Sequence, residues 1–329
     1  MNSLIFVIIM ADYHIKHITR YTYTSPVMDS ANQILLYPIA DERQEVKRHE
    51  LDISENPSVE VFVDYYGNQV GMFTIIKSHN ELSICSEIDV RTSEIQLPLD
   101  DVSAKEQWEN LEMMCEQFPY MDFLTLEVFN ASEEIKTEAN RIFKKDNTPL
   151  TVAKGLTTFV YDVFEYKKGI TSVETSIDEV WELKAGVCQD FAHMLLLMLR
   201  MTGIPARYVS GYICPKNHDL RGEGATHAWV DAYIPFYGWL GLDPTNNCIV
   251  SDRHVRLAVG RNFTDCTPVK GTYKGSAEHT LEVSVRIQNG VVKSAGEEEF
   301  ATPTFFYQVK NAVEPVNSYR RYLEMQQQQ

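Results

Sequence analysis

The sequence predicts an α+β fold: a cysteine-bearing helix packed on an antiparallel sheet that bears a histidine and an aspartate, preceded by a β-sandwich-like region. Three observations lead there. Residues 12–100 alternate polar and apolar side chains in short runs separated by turn residues. Residues 104–168 change to helical spacing. A cysteine at a helix start is then followed by strand-like runs holding one histidine and one aspartate.

Taken in order, Ile15, Ile18, Tyr21 and Tyr23 open the β-rich region. Val59–Tyr65 alternates, Tyr66-Gly67-Asn68-Gln69 turns, and Val70–Ile76 returns, as a hairpin requires. Leu82–Val90 alternates again. Trp108, Leu111 and Cys115 mark a first helix, and Ile135, Ala139, Ile142 and Phe143 a second. Thr151–Phe164 is a third.

Ser176-Ile177-Asp178-Glu179 is a capping box that starts a short helix ending near Leu183. Lys184-Ala185-Gly186 breaks it. A new helix begins at or beside Cys188 and runs through Met201, with Gly203 as its C′ residue and Pro205 beyond. Being apolar nearly all round, it is a buried helix. Arg207–Ile213, His227–Tyr233 and Trp239–Asp243 read as strands, and a late pair, Thr280–Ile287 and Phe305–Val309, flanks Asn289-Gly290 and the acidic Glu297–Glu299. The expected organisation is a β-rich domain over 1–103, a catalytic core over 104–265, C-terminal strands over 266–312 and a tail over 313–329.

A chain of 329 residues, 44% apolar, has room for two cores. Its formal charge of −16 argues against a nucleic-acid surface. Leu4–Met10 is too short to span a bilayer and lacks the flanks of a signal peptide. The expectation is therefore a cytoplasmic protein starting at Met10, with Met1 and a truncated export signal as the alternative. The six cysteines form no CxxC and no dense framework, which suits reduced thiols. No zinc or calcium pattern occurs, so neither metal nor cofactor is expected.

A thiol attacks as thiolate, and the unpaired N–H groups and dipole at a helix N-terminus favour negative charge. Cys188 occupies that place, and the missing side chain of Gly186 allows a tight turn and room for a substrate. His227 supplies a base and Asp243 a group to orient it. They lie on two arms of one hairpin. Direct opposition needs a loop centred on Pro235, and a turn centred between Pro235 and Phe236 sends Asp243 to the wrong face. An odd-numbered loop or a bulge is thus required. Val187, Gln189, Tyr212 and Trp229 are candidate cleft residues, with core packing the preferred reading of Trp229. Asp190 is expected to cap the helix or pair with Arg207, and His193 to be structural.

Gly186-Val187-Cys188-Gln189-Asp190-Phe191-Ala192-His193, Gly203-Ile204-Pro205-Ala206-Arg207-Tyr208, Thr226-His227-Ala228-Trp229 and Gly241-Leu242-Asp243-Pro244-Thr245 together resemble the core of the transglutaminase-like superfamily. The nearer likeness is to bacterial members described as candidate cysteine proteases, which carry a β-rich region ahead of the core. Residues 150–250 bear the likeness. It implies a papain/transglutaminase-like core, with Cys188 as nucleophile, His227 as base and acid, Asp243 as orienter, and the Cys188 backbone N–H as one oxyanion donor. Glu182 stands where papain-like enzymes use glutamine, and Gln189 where animal cross-linking enzymes have tryptophan, so no second donor is named.

The expected function is a cysteine peptidase or amidase acting on a peptide or protein, with no nucleic-acid or membrane partner. A transglutaminase, an acyl-CoA-dependent acyltransferase and a non-catalytic peptide-binding module are the alternatives. Substrate identity and oligomeric state are not legible.

Overall fold

The computed structural model describes residues 10–127, 129–144, 146–172, 175–215, 220–222 and 225–290, and the backbone of 307–310. Most of the Leu4–Met10 run, the acidic Glu297–Glu299 segment, Phe305 and the 313–329 tail lie outside them. In chain order, β1 (Met10–Ile34), β2 (Gln44–Ile53), β3 (Glu60–Val63), β4 (Gln69–Ile75) and β5 (His79–Ser93) come first. Then follow α1 (Ala104–Met114), α2 (Ser132–Ile142), α3 (Pro149–Val163), β6 (Glu165–Tyr166), α4 (Ile177–Leu183), β7 (Ala185–Gly186) and α5 (Cys188–Met201). The strands β8 (Ala206–Ile213), β9 (Ala225–Ile234), β10 (Gly238–Asp243), β11 (Cys248–Ile249) and β12 (His254–Gly260) complete the middle of the chain. The last three are β13 (Val269–Lys274), β14 (His279–Asn289) and β15 (Tyr307–Lys310).

Two compact units result, one of residues 11–92 joined by the chain from 267 onward, the other of residues 93–266. In the β-rich unit, β1 changes partners along its length. Its Tyr13–Tyr23 half pairs antiparallel with β14, and its Ser30–Ile34 end pairs with β4 on one side and β13 on the other. Pro26 lies at the change of partner, where a residue without an N–H costs no ladder bond. Passing one strand from ladder to ladder is how a sandwich turns a corner. Strand β2 has no clean alternation in the sequence because a bulge between Val46 and Arg48 resets its facing against β5.

The second unit holds the antiparallel order β11-β10-β9-β8-β12, with α5 packed across β9 and β8. Helix α5 is buried along Phe191, Ala192 and Met194–Leu199, as its all-round apolar sequence requires. It ends where Gly203, at φ +82, donates its N–H to the Arg200 carbonyl over 3.0 Å. The Ser176 box closes α4 reciprocally: Ser176 Oγ accepts from the Glu179 N–H at 3.3 Å, and Glu179 Oε2 accepts from the Ser176 N–H at 2.8 Å. No helix among the described residues is long and apolar enough to cross a membrane.

Strand β12 presses close to β8 at Gly211, where a Cβ would collide with the Val255 carbonyl and lie 2.8 Å from the Trp229 ring. Gly211→Ala is therefore expected to destabilise this unit by about 1–3 kcal/mol through overpacking. The urea midpoint would report it, with the m-value unchanged.

Candidate active site

Helix α5 begins at Cys188 because the chain before it is held extended. Lys184 closes α4 in the left-handed region at φ 47, and β7 then pairs in parallel with β6, Gly186 opposite Tyr166. Asp190, in the first turn of α5, folds its carboxylate back: Oδ2 accepts the Val187 N–H at 2.8 Å and the Thr171 hydroxyl at 2.7 Å. It caps the helix. Arg207 pairs instead with Asp231 at 2.9 Å. Burial raises the Asp190 pKa, and the two hydrogen bonds work against that rise. A Cβ on residue 186 would strike the Asp190 carboxylate, so the space left by Gly186 serves the cap. Cys188, half-buried, is the first helical residue, and its N–H has no acceptor within the helix.

His227 lies on β9 and Asp243 at the end of β10. The hairpin between them pairs Ile234 with Gly238 across Pro235-Phe236-Tyr237, with Phe236 left-handed at φ 64. This is an odd-numbered loop, centred one residue beyond Pro235. The ladder runs through Gly241↔Asp231 and Leu242↔Val230, so its continuation sets Asp243 across from Trp229. Asp243 shares the face of His227 and reaches it diagonally. His227 Nε2–H donates to Asp243 Oδ2 over 2.8 Å, with both side chains fully buried.

That carboxylate is surrounded by donors. Oδ1 accepts the N–H groups of Thr245 at 2.9 Å and Asn246 at 3.3 Å. Oδ2 also accepts the Asn246 side-chain amide at 2.7 Å and His254 Nε2–H at 3.3 Å. Burial would raise the Asp243 pKa, but the charge and hydrogen bond of His227, with the His254 bond, hold it far below the usual carboxylate range. Burial likewise disfavours the His227 imidazolium, yet Asp243, and after it Cys188, push its pKa up to about 10. Since Nε2 is committed to Asp243, Nδ1, which has no nitrogen or oxygen partner among the described residues, is the atom left for the thiol.

Three neighbours were not anticipated. Asn246 ties Asp243 to the preceding loop, its Oδ1 accepting the Arg221 N–H at 2.7 Å. Gly222, next in that loop at φ +81, passes over the imidazole, where a Cβ would stand 3.3 Å from Nδ1 and 3.9 Å from the Tyr166 hydroxyl. His254 opens β12, and the alternating Val255, Leu257 and Val259 were the signal for that strand.

The remaining candidates are placed as follows. Val187 and Gln189 flank Cys188, half-buried. Trp229 is fully buried, its ring 5.2 Å from His254 and 6.3 Å from His227. Tyr212 is fully buried too, and alternation turns it from the face where Gly211 opposes His227. His193, half-buried, accepts the Phe263 N–H at 3.1 Å. His227, Asp243 and His254 bring ligand-type atoms within 4.8 Å, a spacing a cation could use. The hydrogen-bond polarity argues otherwise: the Ser251 N–H donates to His254 Nδ1 at 3.3 Å, so a neutral His254 carries its proton on Nε2, aimed at Asp243.

Residues 136–244 match the family model of the transglutaminase-like superfamily, and residues 13–91 that of the bacterial transglutaminase-like N-terminal region. An uncharacterised protein of Mycobacterium leprae is 30% identical over 276 residues, spanning 83% of this chain and 97% of its own. One from Mycobacterium tuberculosis is 31% identical over 292 residues, 84% of this chain and 92% of its own. A protein-glutamine gamma-glutamyltransferase of Pseudomonas aeruginosa is 36% identical over 101 residues, 29% of this chain and 15% of that protein. The crystal structure of a candidate cysteine protease from Cytophaga hutchinsonii shares the fold at a TM-score of 0.68 and 20% identity, covering 92% of this chain and 100% of its own.

The charge pair makes stability depend on pH. His227, raised in the folded state, contributes fully below its ordinary pKa, and its contribution is lost as pH climbs through about 10. Asp243, depressed, contributes above the usual carboxylate range and loses its contribution as pH falls below it. Asp243→Ala is expected to cost about 3–5 kcal/mol at neutral pH. In urea titrations against wild type, that gap should narrow on both the acid side and the strongly alkaline side.

Proposed function

The chain belongs to the transglutaminase-like superfamily, and from that premise we propose that it is a thiol-dependent acyl-transfer enzyme cleaving amide or peptide bonds through Cys188, His227 and Asp243. The observation that carries this reading is the buried His227–Asp243 bond, which leaves Nδ1 of a readily charged imidazole for the thiol at the start of α5.

In the proposed cycle Asp243 fixes the imidazole and balances its charge. The Cys188 thiol gives its proton to His227 Nδ1 as its sulfur attacks the amide carbon, and the new oxyanion meets the Cys188 N–H at the positive end of the helix. His227 passes its Nδ1 proton to the departing amine. Water, deprotonated by the same nitrogen, then releases the acid and restores the thiol. We assign the second oxyanion donor to the Tyr166 hydroxyl. Its backbone is paired with Gly186, two residues before the nucleophile, and a Cβ on Gly222 would stand 3.9 Å from its hydroxyl and 3.3 Å from His227 Nδ1.

Hydrolysis is the preferred outcome, on a peptide or protein substrate, since Gln189 departs from the residue that follows the nucleophile in animal cross-linkers and no calcium-loop motif is present. The named activity of the Pseudomonas relative favours a second reading, transfer to a lysine amine. Six free thiols, one of them required reduced, support a reducing compartment such as the cytoplasm.

An electrophilic peptide probe tests the proposal. Labelling should map to Cys188 and disappear in Cys188→Ser and His227→Ala; a probe that treats wild type and both variants alike would end the enzyme reading. Tyr166→Phe should lower kcat by about 10²–10³ with little change in KM, as loss of one oxyanion donor does. An added primary amine that appears in the product in place of free acid would shift the assignment from hydrolase to transferase.

A further inference from the structure

We infer that His254 is a positioning residue of this site, a permanently neutral second histidine that donates to Asp243 and so confines the catalytic charge to His227. The inference deepens the triad reading and rests on it for its functional meaning, but the tautomer it requires is a property of the fold itself.

Two histidines share one carboxylate oxygen, and their surroundings make them unequal. His227 Nε2 meets Asp243 Oδ2 at 2.8 Å, while His254 Nε2 meets the same atom at 3.3 Å. The two rings are 6.1 Å apart and both side chains are fully buried, so two imidazoliums there would repel without water to screen them. His254 is the one denied a second proton. Its Nδ1 lone pair is occupied by the Ser251 N–H, and the Trp229 ring packs T-shaped against it with centroids 5.2 Å apart. The groups facing it are Asp243, His227 and Arg253. Burial lowers its pKa first, Asp243 opposes that, and the His227 and Arg253 charges lower it further.

A neutral donor at this place does two things. With Asn246 and the backbone of Thr245 and Asn246 it fixes the carboxylate plane, so Oδ2 cannot swing away from His227. It also takes part of the electron density of Oδ2, which moderates how tightly Asp243 holds the imidazolium. A base bound too strongly to its proton would be slow to give it to a leaving amine. Without His254, His227 should keep its proton to higher pH and its orientation should loosen.

The deciding experiment is ¹⁵N NMR of the full chain with labelled histidine, on wild type, His254→Leu and His254→Gln, beside the pH profile of the amidase or labelling reaction. Glutamine places an amide N–H near the position of Nε2; leucine fills the space without a donor. In wild type, His254 should read as the neutral Nε2–H tautomer and stay unchanged between about pH 5 and pH 9, the range across which imidazoles ordinarily titrate. In His254→Leu the His227 titration and the alkaline limb of activity should both move upward, and kcat should fall about tenfold or more. His254→Gln should restore both. A His254 that titrates, or that carries its proton on Nδ1, overturns the inference, and so does an unmoved His227 titration in a folded His254→Leu. Should the leucine variant not fold, the wild-type tautomer decides. A Cys188 inert to every probe would sink the nucleophile reading alone, since the NMR signals report on His254 independently.

Discussion

A carboxylate fully removed from water is tolerated only when its lone pairs are met by donors and its charge by a cation. Asp243 imposes that constraint on this unit. Its two oxygens accept from two imidazoles, one side-chain amide and two backbone N–H groups. Meeting that demand dictates much of the local architecture. The hairpin must bring His227 to it, the chain after β10 must turn back through Thr245 and Asn246, and β12 must lie near enough to β8 for His254 to reach it. Gly211 permits that last approach, since any side chain there would hold Val255 away.

Cys188, the proposed nucleophile, belongs to a different element and obeys a different logic. The five-stranded sheet does not decide at which residue its helix starts. The left-handed Lys184, the two-residue β6–β7 ladder and the Asp190 cap together decide that α5 starts at residue 188. Packing of the apolar face of α5 on β8 and β9 then brings that start to the imidazole. The site is thus the meeting of a helix terminus, set by backbone hydrogen bonds, with a polar cluster, set by the pleat of a sheet. Neither half depends on the chemistry of the other to form.

Legibility in the sequence followed the same division. Local signals were readable: the Ser176 box, the Gly203 stop and the all-apolar run of α5 each act within a few residues. The parity of the β9–β10 hairpin was readable as well, because a carboxylate on the His227 face requires an odd loop, and the three residues Pro235-Phe236-Tyr237 supply it. The register was not, since opposition to His227 or to Trp229 differs by two residues and keeps the same face. The roles proposed for His254 and Tyr166 escaped notice because they arise from strand neighbours distant in sequence, β12 beside β8 and β6 beside β7. Strand β2 escaped because its bulge erases the alternation by which a strand is recognised.

The unequal exposure of the three catalytic candidates has a consequence for how a substrate is handled. Cys188 is half-buried, whereas the side chains of His227 and Asp243 are sealed. On the proposed reading the imidazole addresses a substrate through its Nδ1 edge, which is itself buried. Gly222 is the residue that borders this edge, and its positive φ suits a glycine on backbone grounds alone. The steric ground is separate: a side chain 3.3 Å from Nδ1 would stand where, in the proposed cycle, the departing amine collects its proton. The loop that carries Gly222 is in turn held by Asn246, which is held by Asp243. The carboxylate that charges the imidazole thus also anchors, through Asn246, the Arg221-Gly222 segment beside Nδ1, so the proton affinity of the ring and the packing over its free nitrogen trace to a single buried group.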